Sequence, residues 1–405
     1  MRFRIGGEDE GIEFLNLGKT PLANNFLKKE QVGKEETYPL VLAYSPNSHF
    51  VQLTTAVPAE KMFKEYVYMT STTKTFQRHF KEMADRLMSF LSLDSESFVV
   101  DIGSNDGLLL QAFQVHSIQV VGVEPAENIA KIARERGVGT INGFFSSSVV
   151  QQIIANYKKA SLVTANNVFA HVDDIDGFTK NVYELLEPEG VFVIEFQYFV
   201  DTVETMTFDN VYHEHVSYYT ITSLEPFFKR HGFTIFFLEH IGTHGGSIRA
   251  YMKKSSSKRP VDPIVSQYLS EEKKKGILTR HYYENFGKAV YEARDKLVRF
   301  VKDIKSEGKT IAGYGAPAKA NTLLNFCGIG REYISYIVDD NPLKQGLYTP
   351  GTHIPVFSAQ KLVSEPPDCL LILAWNFAQE ILQRTKDLKG VTFIIPLPTP
   401  QIVQG

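Results

Sequence analysis

Residues 98–110 read Phe98-Val-Val-Asp101-Ile-Gly103-Ser-Asn105-Asp-Gly107-Leu-Leu-Leu110, and their reading decides the fold. A run of apolar, largely β-branched residues stops at Asp101, crosses a turn of small residues, and resumes as the apolar start of a helix. The glycines let the backbone come close to a ligand, and the helix N-terminus offers unpaired N–H groups. Further on, Gln119–Val123 reads as a second strand and ends in Glu124. An acidic side chain at that tip accepts hydrogen bonds from both ribose hydroxyls, so turn and acid together read as an adenosine pocket. The spacing G-x-G-x-x-G is absent. Asp101, just before the turn, would repel a pyrophosphate but suits an ammonium, which favours S-adenosylmethionine over NAD or over a purely structural turn. The expected cofactor contacts are Asp101, Gly103, Ser104, Asn105, Gly107, Glu124, Pro125 and, at the end of a later strand, Asn166.

Outward from this unit, residues 98 to about 252 alternate strand and helix. Strands are expected at Phe98–Ile102, Gln119–Val123, Leu162–Asn166 and Gly190–Glu195, with an antiparallel pair, Thr234–Glu239 and Ser247–Lys253, closing the sheet. The fold class is α/β, with a doubly wound sheet that binds ligands at the carboxyl ends of its strands. Before it, residues 1–70 form a small β-rich module, too small for a core of its own, followed by an amphipathic helix over Thr75–Leu93. After it, residues 256–405 begin with a charged helical connector, whose run Glu271-Glu-Lys-Lys-Lys275 reads as a solvated face. They continue as a second Rossmann-like α/β unit that opens at Thr310–Gly313 and the turn Gly313-Tyr-Gly315-Ala-Pro-Ala318-Lys319. The central domain spans 71–255.

The 405 residues carry a net charge of −3 with both signs mixed, which argues against nucleic acid or a membrane surface as partner. Two cysteines, Cys327 and Cys369, in a chain without a signal-peptide pattern or a long apolar run point to a cytoplasmic protein with reduced thiols. Two thiols cannot build a four-thiolate zinc site. With no exposed apolar stripe, the expectation is a monomer or weak dimer.

The densest polar cluster is Asn210-Val-Tyr212-His213-Glu214-His215-Val-Ser217-Tyr218-Tyr219. Its H-E-H lacks the His-x-x-x-His spacing that would put two imidazoles on one helix face, so proton transfer is a better reading than metal binding. A histidine titrates near neutral pH, a neighbouring carboxylate can orient it, and a tyrosine can donate to a developing oxyanion. The alternative is a packed loop of satisfied hydrogen-bond partners. His171 follows the strand that ends at Asn166, at the sheet's carboxyl edge. The turn Thr243-His-Gly245-Gly246-Ser247-Ile-Arg249 brings a cation suited to an anionic substrate group, or is a plain β-turn. In the second unit, the 313–319 turn resembles a Rossmann turn and Lys319 adds a phosphate-friendly charge; G-x-x-x-x-G-K-[ST] is absent.

Together these segments resemble one family, the S-adenosylmethionine-dependent C-methyltransferases that act on nucleotide-linked keto-deoxysugars. The resemblance runs through Leu17-Gly18, Pro21-Leu-Ala-Asn24, Val51-Gln-Leu53, Tyr66-Val-Tyr68, the 101–107 turn, Tyr212-His-Glu-His215, Gly245-Gly-Ser247 with Arg249, and the 313–319 turn. It implies a class I methyltransferase sheet and a base at His215. Tyr212 and Glu214 position the base or share its proton, His171 acts on the sugar or the enolate, and Tyr66 helps close the pocket. It also implies substrate contacts at His213, Gly246, Ser247, Arg249, Tyr314 and Lys319. The family carries zinc on two C-x-x-C pairs of its N-terminal module; here the matching positions are Phe3, Gly6, Ser45 and Ser48, so no zinc is expected. An NAD-dependent oxidoreductase and a non-catalytic nucleotide-sugar-binding protein are the rival readings.

Overall fold

The computed structural model describes residues 1–63, 69–72 and 74–403. Its largest sheet has seven strands: β1 (Phe98–Ile102), β2 (Gln119–Glu124), β3 (Thr140–Asn142), β4 (Ala160–Asn166), β5 (Leu186–Gln197), β6 (Phe233–Ile241) and β7 (Ser247–Lys254). Their order is β6-β7-β5-β4-β1-β2-β3, and β7 runs antiparallel to both its neighbours. All five residues of β1 are buried, Asp101 among them, as in a strand covered on both faces. The order reverses between β1 and β4, so the crevice at their carboxyl ends is the place for a ligand. The amphipathic helix is Lys74–Leu91, and Phe76, Phe80, Met83, Leu87 and Leu91 are its buried face. The edge strand β3, three residues long and without a fully buried side chain, left no apolar run to read.

A second sheet holds β8 (Ile311–Tyr314), β9 (Ile334–Val338), β10 (Val356–Phe357), β11 (Cys369–Ile372), β12 (Thr392–Ile395) and β13 (Gln401–Val403), in the order β10-β9-β8-β11-β12-β13. All pairs are parallel except β12 with β13. Its order reverses between β8 and β11.

The N-terminal strands Ile12–Pro21, Thr37–Tyr44 and Val51–Leu53 form an antiparallel sheet whose fourth strand, Ser217–Tyr218, comes from just beyond the Tyr212–His215 cluster. Phe3, Ile5 and Phe50 pack into the core of the first sheet, while Leu15, Leu40 and Leu42 join the core of the second. The helix Arg280–Ser306 lies across this sheet. Gly287 makes the approach possible, since a Cβ there would stand 2.1 Å from the Phe14 carbonyl oxygen, and Tyr283 stacks on Tyr44 with ring centroids 4.1 Å apart. Among the described residues the module's own separate cluster is small, Val57 and Met62 with Leu22, Tyr38 and Ala59, and most of its apolar residues are shared with the cores of the two sheets.

One expectation fails in the connector. Glu271 and Lys273–Lys275 are exposed, but Glu272 is fully buried and accepts hydrogen bonds from Tyr198 Oη, Ile221 N and Thr222 N, each at 2.7 Å. Its carboxylate satisfies the free N–H groups at the start of the helix Ile221–Arg230. No helix among the described residues is long and apolar enough to cross a membrane.

Candidate active site

A cavity of about 480 Å³ opens at the carboxyl ends of β1, β2 and β4 and is shared by all three parts of the chain. Its first wall is the 101–107 turn. Gly103 has φ +66°, and a Cβ there would lie 2.4 Å from a Val168 methyl, so only glycine fits. Glu124 lines the cavity and closes the turn: its Oε2 accepts from Asn105 N and its Oε1 from Ala126 N, both at 2.9 Å. Burial pushes its carboxyl above the usual range. Pro125 and Asn166 line the same wall, and both polar atoms of the Asn166 side chain are buried without a hydrogen-bond partner among the described residues. Those atoms are available to a ligand.

Three predicted cofactor contacts stand behind this wall instead. Asp101 pairs with Thr164 across the β1–β4 ladder and accepts a 2.6 Å hydrogen bond from its hydroxyl. Burial, with the nearby Glu124 charge, pushes its pKa up to about 7. Ser104 packs against Gly122, and Gly107 against Val138. Ser104 and Gly107 shape the turn, and strand alternation, with Ile102 lining the cavity, aims the Asp101 side chain away from it.

The opposite wall carries the Tyr212–His215 cluster. His215 Nδ1 lies 2.9 Å from the Asn210 carbonyl oxygen and Nε2 lies 2.9 Å from Tyr212 Oη. A carbonyl can only accept, so Nδ1 bears the proton and Nε2 takes the Tyr212 hydroxyl. The ring of His171 stacks on His215 at 5.1 Å, and burial pushes its pKa down to about 4, leaving it neutral near physiological pH. The backbone, with Val216 N donating to Ala170 O at 2.9 Å, holds the two loops together. Glu214, expected to orient the histidine, reaches the other way: its Oε1 accepts from Asn24 Nδ2 at 2.6 Å and ties the N-terminal module to the cluster. The Asn210 carbonyl takes the orienting position on His215 Nδ1. Tyr66 lies outside the described residues.

Lys319 and Lys344 supply positive charge on the third wall. Lys319 Nζ stands 4.5 Å over the Trp375 ring, and Lys344 Nζ donates to Ala316 O at 2.8 Å. Lys344 follows a strand that carried no motif, so only the tertiary structure reveals it.

The other expected substrate contacts are elsewhere. Arg249 is buried in β7, where its guanidinium ion-pairs with Glu195 at 2.9 Å and Glu239 at 3.2 Å. With its charge committed to two carboxylates, it has none to offer a diphosphate. Ser247 Oγ donates to Thr243 O, and Gly246, at φ +122°, leaves room for the Asp201 carboxylate. His213 points into the N-terminal sheet, with Nε2 near the carbonyls of Tyr38 and Pro39. Tyr314 is buried in the second sheet, its hydroxyl facing Asp340.

The strand order, the glycine turn with its acidic partner and the cavity at the switch point define a class I S-adenosylmethionine-dependent methyltransferase. Comparison with known proteins narrows this. Residues 76–236 match the methyltransferase domain family, 242–398 the C-methyltransferase C-terminal domain, and 4–63 a "putative zinc binding domain". The C-methyltransferase NovU of Streptomyces niveus is 34% identical over 99% of this chain and 96% of its own length. A ubiquinone biosynthesis O-methyltransferase of Bradyrhizobium sp. (strain ORS 278) is 32% identical over 24% of this chain and 38% of its own. The PH0226 protein of Pyrococcus horikoshii OT3 overlaps 48% of this chain, and 98% of its own length, at TM-score 0.38 and 16% identity. The chain belongs to the S-adenosylmethionine-dependent C-methyltransferases.

The zinc implied by the N-terminal match does not suit the residues present. Phe3 is buried in the core, Ser48 Oγ donates to Ile5 O at 3.2 Å, and Ser45 Oγ donates to the Asp9 carboxylate, which also accepts from Asn47 Nδ2 at 2.9 Å. A phenyl ring, a glycine and two engaged hydroxyls offer neither thiolate nor imidazole.

Proposed function

We propose that the enzyme methylates C3 of a nucleotide-linked 4-keto-deoxysugar, of the dTDP type, through an enolate. The observation that carries this is the single cavity in which the donor wall, the Tyr212–His215 pair and two lysines face one another. A carbon beside a ketone loses its proton readily only when a base meets it and donors stabilise the enolate oxygen. His215 Nε2 is the base, in the tautomer that the Asn210 carbonyl selects. The Tyr212 hydroxyl, now on Nε2, turns to the keto oxygen as the proton arrives, and neutral His171 offers a second polar group at the sugar. S-Adenosylmethionine supplies an electrophilic methyl when bound, held by Gly103, Asn105, Glu124, Pro125 and Asn166. Lys319 and Lys344 hold the diphosphate. On this reading residues 1–70 close the pocket, 71–255 bind the donor and 256–405 the nucleotide.

We also infer that the N-terminal module folds without zinc, with the Asp9 hydrogen bonds and Phe3 packing in its place. Elemental analysis of the purified protein is expected to find far less than one zinc per chain. Incubation with S-adenosylmethionine and a panel of dTDP-4-keto-6-deoxysugars, read by mass spectrometry, is expected to show the gain of one methyl on at least one sugar. Gain on none, with S-adenosylhomocysteine binding intact, removes the substrate class.

A further inference from the structure

The His215 ring is only as well placed as the carbonyl that holds it. That carbonyl belongs to Asn210, the last residue of a three-residue turn, Phe208–Asn210, which the second sheet grips from outside. Phe208 is fully buried and meets Phe326 of the helix Ala318–Cys327 at a centroid distance of 5.8 Å. Asp209, also fully buried, accepts a 2.7 Å hydrogen bond on Oδ2 from Trp375 Nε1, which lies just beyond β11. Its other oxygen is buried without a hydrogen-bond partner among the described residues. The backbone N–H groups of Asp209 itself and of Asn210 face the carboxyl and favour its ionised form against burial. The charge has a counterpart in Lys319, which stands over the same indole, lines the cavity and is electrostatically coupled to Asp209.

We propose that Asp209 is a positioning residue: with Trp375 it fixes the turn whose Asn210 carbonyl sets the tautomer of His215, and with Lys319 it links that turn to the substrate-binding wall. The consequence rests on the proton-transfer reading above. A substrate anion drawn to Lys319 acts on the residue whose neighbour holds the base.

The test separates this inference from the substrate reading because it needs no substrate. In protein labelled with ¹⁵N-histidine, with the His215 signals assigned through His215→Ala, the wild type is expected to show His215 as the Nδ1–H tautomer. Asp209→Ala and Trp375→Phe are expected to mix the tautomers while S-adenosylhomocysteine binding stays within about twofold of wild type. Asp209→Asn, whose amide oxygen still accepts the indole N–H, is expected to restore the wild-type signal largely. Once a substrate is in hand, kcat should fall roughly tenfold in the first two variants, the order expected when a catalytic group loses its alignment. If Asp209→Ala does not fold, Trp375→Phe decides. Folded variants with an unshifted His215 tautomer would reduce Asp209 to a structural tie and overturn the inference, even if methyl transfer to a sugar is established. Wild-type failure on every sugar would remove the substrate reading and leave the tautomer result standing.

Discussion

The chain uses one backbone device twice, with opposite charge. In the first sheet the amide of Gly103 donates to Val123 O at 2.8 Å; in the second, Gly315 N donates to Val338 O at 2.7 Å. Each turn is then closed by a carboxylate from the tip of the neighbouring strand. Glu124 takes Asn105 N and Ala126 N; Asp339 takes Ala316 N at 2.6 Å and Asn341 N at 2.8 Å. The surroundings differ. Of the acids around the first turn only Glu124 faces the cavity, since Asp101 is engaged by Thr164 behind it and Asp106 is ion-paired with Arg136 at 2.8 Å, whereas the second turn presents Lys319 and Lys344, with Lys344 4.0 Å from Asp339. On the proposed function, the same frame would offer an acidic side chain to a cationic donor and lysines to an anionic substrate, with the Tyr212–His215 cluster between them.

If that division is real, removing the group between the turns should spare both binding events. His215→Ala is expected to lower turnover roughly 10²–10⁴-fold, the usual worth of a general base, with S-adenosylhomocysteine affinity unchanged by calorimetry. Wild-type-like turnover would take His215 out of the base role. The next effect concerns the stability of the acidic half. Burial alone would push the Glu195 carboxyl up, but His79 at 3.0 Å and the Arg249 guanidinium outweigh it and hold its pKa at about 2. A carboxyl depressed on folding stabilises the folded state above its ordinary value of 4.5, and that contribution, roughly 3 kcal/mol, is lost as pH falls from 4.5 towards 2. Denaturant melts across this range should be much flatter in Glu195→Gln than in wild type. Smaller again, Lys319→Ala is expected to raise KM for the nucleotide sugar about tenfold, the worth of one charge-assisted hydrogen bond, with S-adenosylhomocysteine binding intact. Loss of donor binding in this variant would break the assignment of opposite walls.

The two turns were the most legible part of the sequence because each is local: an apolar run, a few small residues and an acid at the next strand's end all lie within about thirty residues. The helix Lys74–Leu91 was legible for the same reason, since a face repeats every three to four positions. What escaped depends on pairs far apart. Arg249 looked free for a diphosphate because Glu195 lies 54 residues before it on a neighbouring strand. Glu272 looked solvated because the helix it caps begins 51 residues earlier. Asp209 meets Trp375 across 166 residues, and nothing in the local pattern of either announces the other. The Asn24 amide that Glu214 accepts from lies 190 residues before it, a contact that spacing within the turn does not announce.

The smallest effect separates the device from its use. Glu124→Gln and Asp339→Asn each replace a two-sided acceptor by one oxygen and one NH₂ group. Each variant then keeps one of its two backbone N–H partners and sets a donor against the other, at a cost of roughly 1–2 kcal/mol. Because the two carboxylates close their turns in the same way, the two losses should be similar, a shift of a few degrees in thermal melting. Binding should not follow stability. Glu124 faces the cavity at the first turn, whereas Asp339 backs the second turn beside Lys344, so only Glu124→Gln should weaken S-adenosylhomocysteine, and only Asp339→Asn, by removing the carboxylate 4.0 Å from Lys344, should change the affinity for a nucleoside diphosphate. If both variants lost both ligands equally, the cavity would behave as one rigid unit. The opposite charges of its two ends would then be a matter of composition rather than a division of labour.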